Sequence, residues 1–158
     1  EYNERRDQCF EAARLLGVPA LRDTTSARLA AADMPELVKR RAAHIVGENE
    51  RVFEALTHLR EGNAAAFGRL MTASHRSSMT NFENSTPELD TLVDIALAQD
   101  GVLGARLTGG GFGGAIVALV EQVKISAIAA AIEREYTHRT GHHGTAIPCR
   151  IGDGALPE

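Results

Sequence analysis

The chain has 158 residues, 44% of them apolar and 24% charged, which is too apolar for a disordered polymer. A length of this order makes one ordinary domain or two small ones and buries roughly 68–70% of the unfolded surface. The 17 basic and 21 acidic residues leave a net charge of −4 without a basic block, which argues against a nucleic-acid-binding surface.

Taken in order, Asn3 predicts a helix cap before a helix over Glu4–Leu16, with Phe10, Ala13 and Leu16 on its apolar stripe. Gly17 and Pro19 end it. Pro19–Ala32 reads as a connection with a short helix capped at Thr24 or Thr25. Asp33 and Pro35 then open a long helix ending at Gly62. Its Val38, Ala42, Ile45, Asn49, Val52, Leu56 and Leu59 alternate by threes and fours, the spacing of one buried seam. Asn63 caps a helix to Ser78 with Phe67, Leu70, Met71 and Ser74 inward, and Thr80–Ser85 breaks the pattern. Thr86-Pro87-Glu88 starts a further helix to Ala98, combining a cap, a first-turn proline and an early acid.

The pattern then changes to strands at Val102–Thr108 and Ala115–Val120, the second apolar enough to read as buried. An alanine-rich helix follows over Gln122–Arg139, closed by Gly141, and then a third strand over Thr145–Ile151 and a polar tail, Gly152–Glu158. Helix, strand, strand, helix, strand is a split βαβ, ferredoxin-like order lacking its central first strand. The expected fold is therefore α+β: three or four strands under helices, with residues 1–80 mainly helical and residues 81–151 ferredoxin-like. The opening Glu1-Tyr2-Asn3-Glu4-Arg5-Arg6 runs straight into helical sequence, so the chain reads as part of something longer.

The concentrated chemical signal is Leu107-Thr108-Gly109-Gly110-Gly111-Phe112-Gly113-Gly114, in which 5 of the 15 glycines fall within six positions. Such a cluster serves positive φ or a close approach. Spacing alone favours a tight bulged hairpin, and the alternative is a run of exposed backbone N–H groups at a phosphate site. Gly109, Gly111 and Gly114 satisfy G-x-G-x-x-G, but a dinucleotide fingerprint opens a helix and this loop opens a strand. A P-loop needs Gly-Lys-Ser/Thr where the chain has Gly114-Ala115-Ile116.

Leu107–Gly114 resembles the third conserved motif of the GHMP small-molecule kinases in its galactokinase variant. Tyr2-Asn-Glu-Arg-Arg6, Phe67-Gly-Arg-Leu-Met71 with Ser74-His-Arg-Ser77, and Ser85-Thr-Pro-Glu-Leu-Asp90 resemble further galactokinase stretches in the same order. The resemblance runs through nearly the whole chain and implies, over residues 1–158, a galactokinase C-terminal domain. Galactokinases move the ATP γ-phosphoryl group to the C1 hydroxyl of α-D-galactose with Mg²⁺, chemistry that rests on positioning and charge stabilisation. In that family the reacting arginine and aspartate and the serine-rich phosphate loop lie in the N-terminal half. Neither Gly-Leu-Ser-Ser-Ser nor Gly-Glu-His-Thr-Asp occurs here.

The resemblance thus implies no catalytic residue in this chain, no activity by the chain alone, and no bound ATP or Mg²⁺ on it. Its expected partners are its own N-terminal domain and, in the whole protein, galactose and ATP. It implies a galactose contact for Tyr2, which would otherwise read as an exposed helix flank. Thr108, Gly109, Gly110, Gly111, Phe112, Gly113 and Gly114 would support the phosphate site rather than touch phosphate. Asn81-Phe82-Glu83-Asn84-Ser85 departs from the family's Asp-Tyr/Phe-Glu-Val-Ser, and Asn81 and Asn84 read as lineage variation in a loop. Two other readings stand beside this one: a related sugar kinase such as one for N-acetylgalactosamine, and a free-standing ferredoxin-like module that binds without catalysis. Self-association through an uncovered face is expected of the fragment.

Other features have plainer readings. Cys9 and Cys149 match no disulfide framework and no zinc spacing, and fit a reducing cytoplasm. The longest apolar run, Ala115–Val120, is far below the ~20 residues of a membrane span, and a signal-peptide pattern is missing. His142-His143 reads as a solvated turn rather than a metal site, and His75 as a structural hydrogen-bonding group. Lys39-Arg40-Arg41 reads as a solvated face, and Asp90 with Asp94 as helix N-terminal acids. Arg106, just before the glycine loop, either pairs with a carboxylate or approaches phosphate.

Overall fold

The structure is a computed structural model and describes residues 1–152. Helix α1 (Tyr2–Leu16) ends at Gly17, whose φ of 65° lets its N–H return to Arg14 O. A single 3₁₀ turn at Leu21–Asp23 leads to α2 (Ser26–Ala31), where Thr25 Oγ1 accepts the Arg28 N–H. Helix α3 (Glu36–Arg60) begins after Pro35 rather than on an Asp33 cap. Ala12, Ala13, Leu16, Leu21, Leu29, Val38, Ala42 and Val46 form the core between these elements.

Two apolar expectations fail here. Phe10 is exposed, and the α1 stripe runs through Cys9, Ala12, Ala13 and Leu16 instead. The α3 seam is buried only as far as Val46, while Val52, Leu56 and Leu59 stand exposed. At 1.5 Å per residue α3 spans about 37 Å and α1 about 22 Å, so α1 alone is too short to cover the whole of α3.

Helix α4 (Ala64–Ser77) starts where Asn63 Oδ1 accepts the Ala66 N–H, and continues into a π-helical turn over Ser78–Phe82. Helix α5 (Pro87–Leu97) has the Thr86 cap and first-turn proline that its sequence predicts. Strands β1 (Val102–Thr108) and β2 (Ala115–Val120) pair antiparallel, with Ala105 opposite Ala118 and Leu107 opposite Ile116. After a 3₁₀ turn at Gln122–Lys124, α6 (Ile125–Thr140) ends at Gly141. Val93 and Ala96 of α5 pack on Ala105, flanked by Ile116, Ala118 and Ile132, so α5 and α6 cover one face of the hairpin.

The fold is α+β and mostly helical, but its sheet has two strands among the described residues, not three or four. Thr145–Ile151 joins no ladder, and Ile147 and Ile151 are 76% and 94% exposed. A strand is stable only beside a partner, and the central strand of the split βαβ order is not among the described elements. For the same reason β2 is not the buried strand its composition suggests, and Val117 lies open. The tail beyond Gly152 lies outside the described residues. Among those described, no helix is long and apolar enough to cross a membrane.

Helix α4 lies against the edge of β1 that faces away from β2. Its Thr72 hydroxyl accepts the Ala105 N–H at 3.5 Å, and His75 Nδ1 accepts the Leu107 N–H at 3.3 Å. The approach is backbone on backbone: a β-carbon on Gly104 would overlap the Gly68 carbonyl, and one on Gly68 would overlap Leu103 O. Gly104→Ala is therefore expected to destabilise the protein by about 3 kcal/mol, the upper end of overpacking costs, read as a lower urea midpoint.

Candidate functional site

The glycine loop joins β1 to β2 in a conformation that most residues avoid. Gly109, Gly111, Gly113 and Gly114 have φ of 79°, 80°, 117° and 97°, and Phe112 joins them at 59°. A left-handed phenylalanine costs about 1–2 kcal/mol, so something must hold it. Its N–H donates to Asn84 O at 2.7 Å, and its ring lies 6.0 Å from the Arg5 guanidinium. Asn84 also donates from Nδ2 to Gly110 O at 3.1 Å. Gly111 passes so close to Asn84 that a β-carbon there would overlap the Asn84 carbonyl. Among the described residues, Phe112 is the loop residue whose backbone N–H finds a partner in the fixed scaffold outside the hairpin.

Asn84 stands on an anchored base. The π-helical turn ends in Glu83, itself left-handed at φ 54°, and the carbonyls of such an end need donors. Three arginines supply them. Arg5 of α1 donates to Phe82 O at 2.6 Å and Glu83 O at 3.2 Å. Arg40 of α3 reaches Thr80 O at 3.1 Å and the Glu83 carboxylate at 2.8 Å. Arg41 donates to Asn81 O, to Glu83 Oε2 at 2.6 Å and to Gln8 Oε1 at 3.1 Å. The hydrogen bond from Arg41 holds the Glu83 carboxyl below its usual range.

Arg41 is only 2% exposed, so the solvated-face reading of Lys39-Arg40-Arg41 fails at its third member. The planar fork tolerates burial because several of its donors find acceptors in the fold. His44 stacks on Phe82, centroids 4.6 Å apart, with Nδ1 3.0 Å from Ser77 Oγ. Burial lowers the His44 pKa to about 4; nearby Glu48 opposes this, and Arg51 and Arg106 add to it.

The stem of the loop is tied to α5 as well. Because Leu107 N–H donates to His75 Nδ1, the neutral ring carries its proton on Nε2. That nitrogen lies 3.3 Å from Asp90 Oδ1, within ion-pair range but off the line of a hydrogen bond. Ser85 Oγ donates to the same carboxylate. Burial lowers the His75 pKa and outweighs the attraction of Asp90 and Asp94. Arg106 takes the carboxylate alternative, with Nη1 3.6 Å from Glu48 Oε2 and Nε donating to Leu107 O. Burial alone would raise the Glu48 pKa, but hydrogen bonds from Ser74 and Arg51 bring it below its usual value.

A shallow hollow of about 340 Å³ opens beside the loop, lined by Glu1, Glu4, Arg5, Glu83, Ser85, Thr86 and Phe112. Tyr2, 69% exposed on the first turn of α1, is not among these residues. The structure thus brings Phe112 to the hollow and leaves Tyr2 outside its lining. Arg5, Arg41 and Asn84 were not singled out from the sequence as parts of this arrangement. For Asn84 the signal was its departure from the galactokinase pattern. It is buried and bonded to the glycine loop. Among the described residues no three His, Cys, Asp or Glu converge as a metal-binding group.

Helices flanking an antiparallel hairpin, with a glycine-rich loop pinned by a neighbouring turn, make an α+β domain. The chain belongs to the GHMP kinase family: residues 53–138, more than half of it, match the family described as GHMP kinases C terminal. It is also similar to the crystal structure of Lactococcus lactis galactokinase complexed with galactose. That match has 36% sequence identity and a TM-score of 0.85, and covers 90% of this chain and 38% of that one. The chain therefore spans well under half the length of that galactokinase.

Two outcomes follow from the arginine and histidine geometry. Arg41→Ala should destabilise the fold by roughly 2–4 kcal/mol, since it strands charged and carbonyl acceptors together; a shifted denaturation midpoint reads this. His44 is neutral in the fold and takes its proton at about 4 instead of 6.5. The unfolded chain therefore protonates first, and stability falls as pH drops from about 6.5 to about 4. Urea midpoints measured across that range should fall less steeply in His44→Gln.

Proposed function

We propose that the chain is the C-terminal part of a galactokinase, an enzyme that transfers the ATP γ-phosphoryl group to the C1 hydroxyl of α-D-galactose, and that it is not catalytic by itself. The glycine loop carries this reading. Four glycines and one phenylalanine take positive φ, and Asn84 bonds the loop at Gly110 and Phe112, in a hairpin far more elaborate than a strand reversal needs. Successive backbone N–H groups in such a conformation make a concavity suited to phosphate oxygens. The similarity to a galactokinase along most of the chain supports the choice of sugar.

Phosphoryl transfer depends on holding donor and acceptor in line and on countering charge at the phosphoryl oxygens. Thr108–Gly114 support the phosphate side of the site, and Tyr2 offers a phenol to the sugar from the C-terminal side. The loop is placed to support the ATP phosphates, and ATP when bound supplies the transferred group. The described carboxylates do not converge on a metal position, so the described residues do not fit as a Mg²⁺ cage. The exposed Val52, Phe53, Leu56 and Leu59 of α3 offer apolar surface for self-association of the fragment. The partner proposed for the intact enzyme is the N-terminal domain of the same protein, and its setting is the cytoplasm.

The test compares the protein at its full natural length with the 158-residue chain in ATP-dependent phosphorylation of galactose. Full-length protein should be active and the chain alone inactive. Activity in the isolated chain would overturn the placing of the reacting groups elsewhere. A full-length protein that phosphorylates a different sugar would overturn the choice of galactose.

A further inference from the structure

We infer that the Asn84 side chain is a positioning residue for the glycine loop, setting the direction in which the Gly109–Gly111 amides face. The inference rests on the kinase reading only for its functional consequence. Asn84 meets the loop twice, through Nδ2 to Gly110 O at 3.1 Å and through its backbone oxygen to Phe112 N–H at 2.7 Å. The two bonds straddle Gly111, whose backbone lies against the Asn84 carbonyl. Between them they fix both peptide planes that flank that glycine.

The side chain is 6% exposed, and its Oδ1 is buried with no partner among the described residues. A valine would fill similar volume and leave no polar atom unpaired. The amide is thus disfavoured as mere filling, and the contact distinguishing it from valine is the donation to Gly110. That donation also explains the unpaired oxygen, because turning Nδ2 toward a carbonyl turns Oδ1 away from it. The base beneath Asn84 cannot absorb a change, since Arg5, Arg40 and Arg41 hold the carbonyls of residues 80–83. Phe112 is left-handed and relaxes readily once one of its restraints is lost. Loss of the Asn84 amide is therefore transmitted to the loop and not to the turn behind it.

The experiment uses the protein at full natural length, with Asn84→Val and Asn84→Asp beside the wild type. Valine keeps the backbone bond alone. Aspartate keeps the shape and replaces the donor by an acceptor facing Gly110 O. Amide hydrogen exchange is followed at Gly109–Gly114, and kinetics are measured with ATP and galactose. In both variants the Phe112 amide should exchange about fivefold faster, the factor one neutral hydrogen bond is worth. KM for ATP should rise by a similar factor with KM for galactose unchanged, and the melting temperature of Asn84→Val should stay at the wild-type value, whereas the buried carboxylate of Asn84→Asp lowers it. Unchanged exchange across the loop in either folded variant overturns the inference. So does faster exchange spread evenly through the chain, which marks a structural role only. If the wild type does not phosphorylate galactose, the galactokinase reading fails while the exchange comparison still decides the role of Asn84.

Discussion

The arrangement depends on a guanidinium placed where a charge is hardest to keep. Arg41 lies almost wholly inside the protein, and its fork reaches α1 through Gln8 and the π-helical turn through Asn81 and Glu83. Burying a cation is tolerable when its charge is matched and its donors find acceptors. One of those acceptors, Asn81 O, is a carbonyl at the end of the π-helical turn, and the other two are side-chain oxygens. One side chain therefore joins two helices and the turn that leads to the glycine loop. Arg5 and Arg40 extend the same solution to neighbouring carbonyls.

From that anchor the restraints pass outward in a definite order. Glu83 and Phe112 are both left-handed, an arrangement that only surrounding structure maintains. Asn84 sits between them, fixed on one side by the arginine-held turn and bonded on the other to the loop. A second tie runs from Leu107 through His75 toward Asp90 and on to Ser85. The loop is therefore gripped at its stem by His75 and at its crest by Asn84.

Much of this was legible in the sequence where the signal is local. The limits of β1 and β2, the Asn63 and Thr86 caps and the Gly17 and Gly141 ends follow from turn chemistry and periodicity within a few residues. The failures share a cause, which is dependence on something distant in the chain. Thr145–Ile151 has strand composition, but pairing needs a neighbour that composition cannot supply. The α3 pattern continues through Leu59, while burial along the helix stops at Val46. Arg41 carries no local mark of burial, because its acceptors lie 33 to 42 positions away. The glycine cluster announced the loop, but Asn84, which shapes it, sits 26 positions before Gly110.

The contact of α4 with β1 has one more consequence. An exposed strand edge is a template on which other chains can assemble. Here Thr72 and His75 occupy the outward N–H groups of Ala105 and Leu107, and two glycines bring the helix too near for a strand to slip between. A helix has taken the place of a ladder partner. The sheet is consequently one-sided in its capacity to grow: it is sealed along β1, and any further strand must be added beside β2.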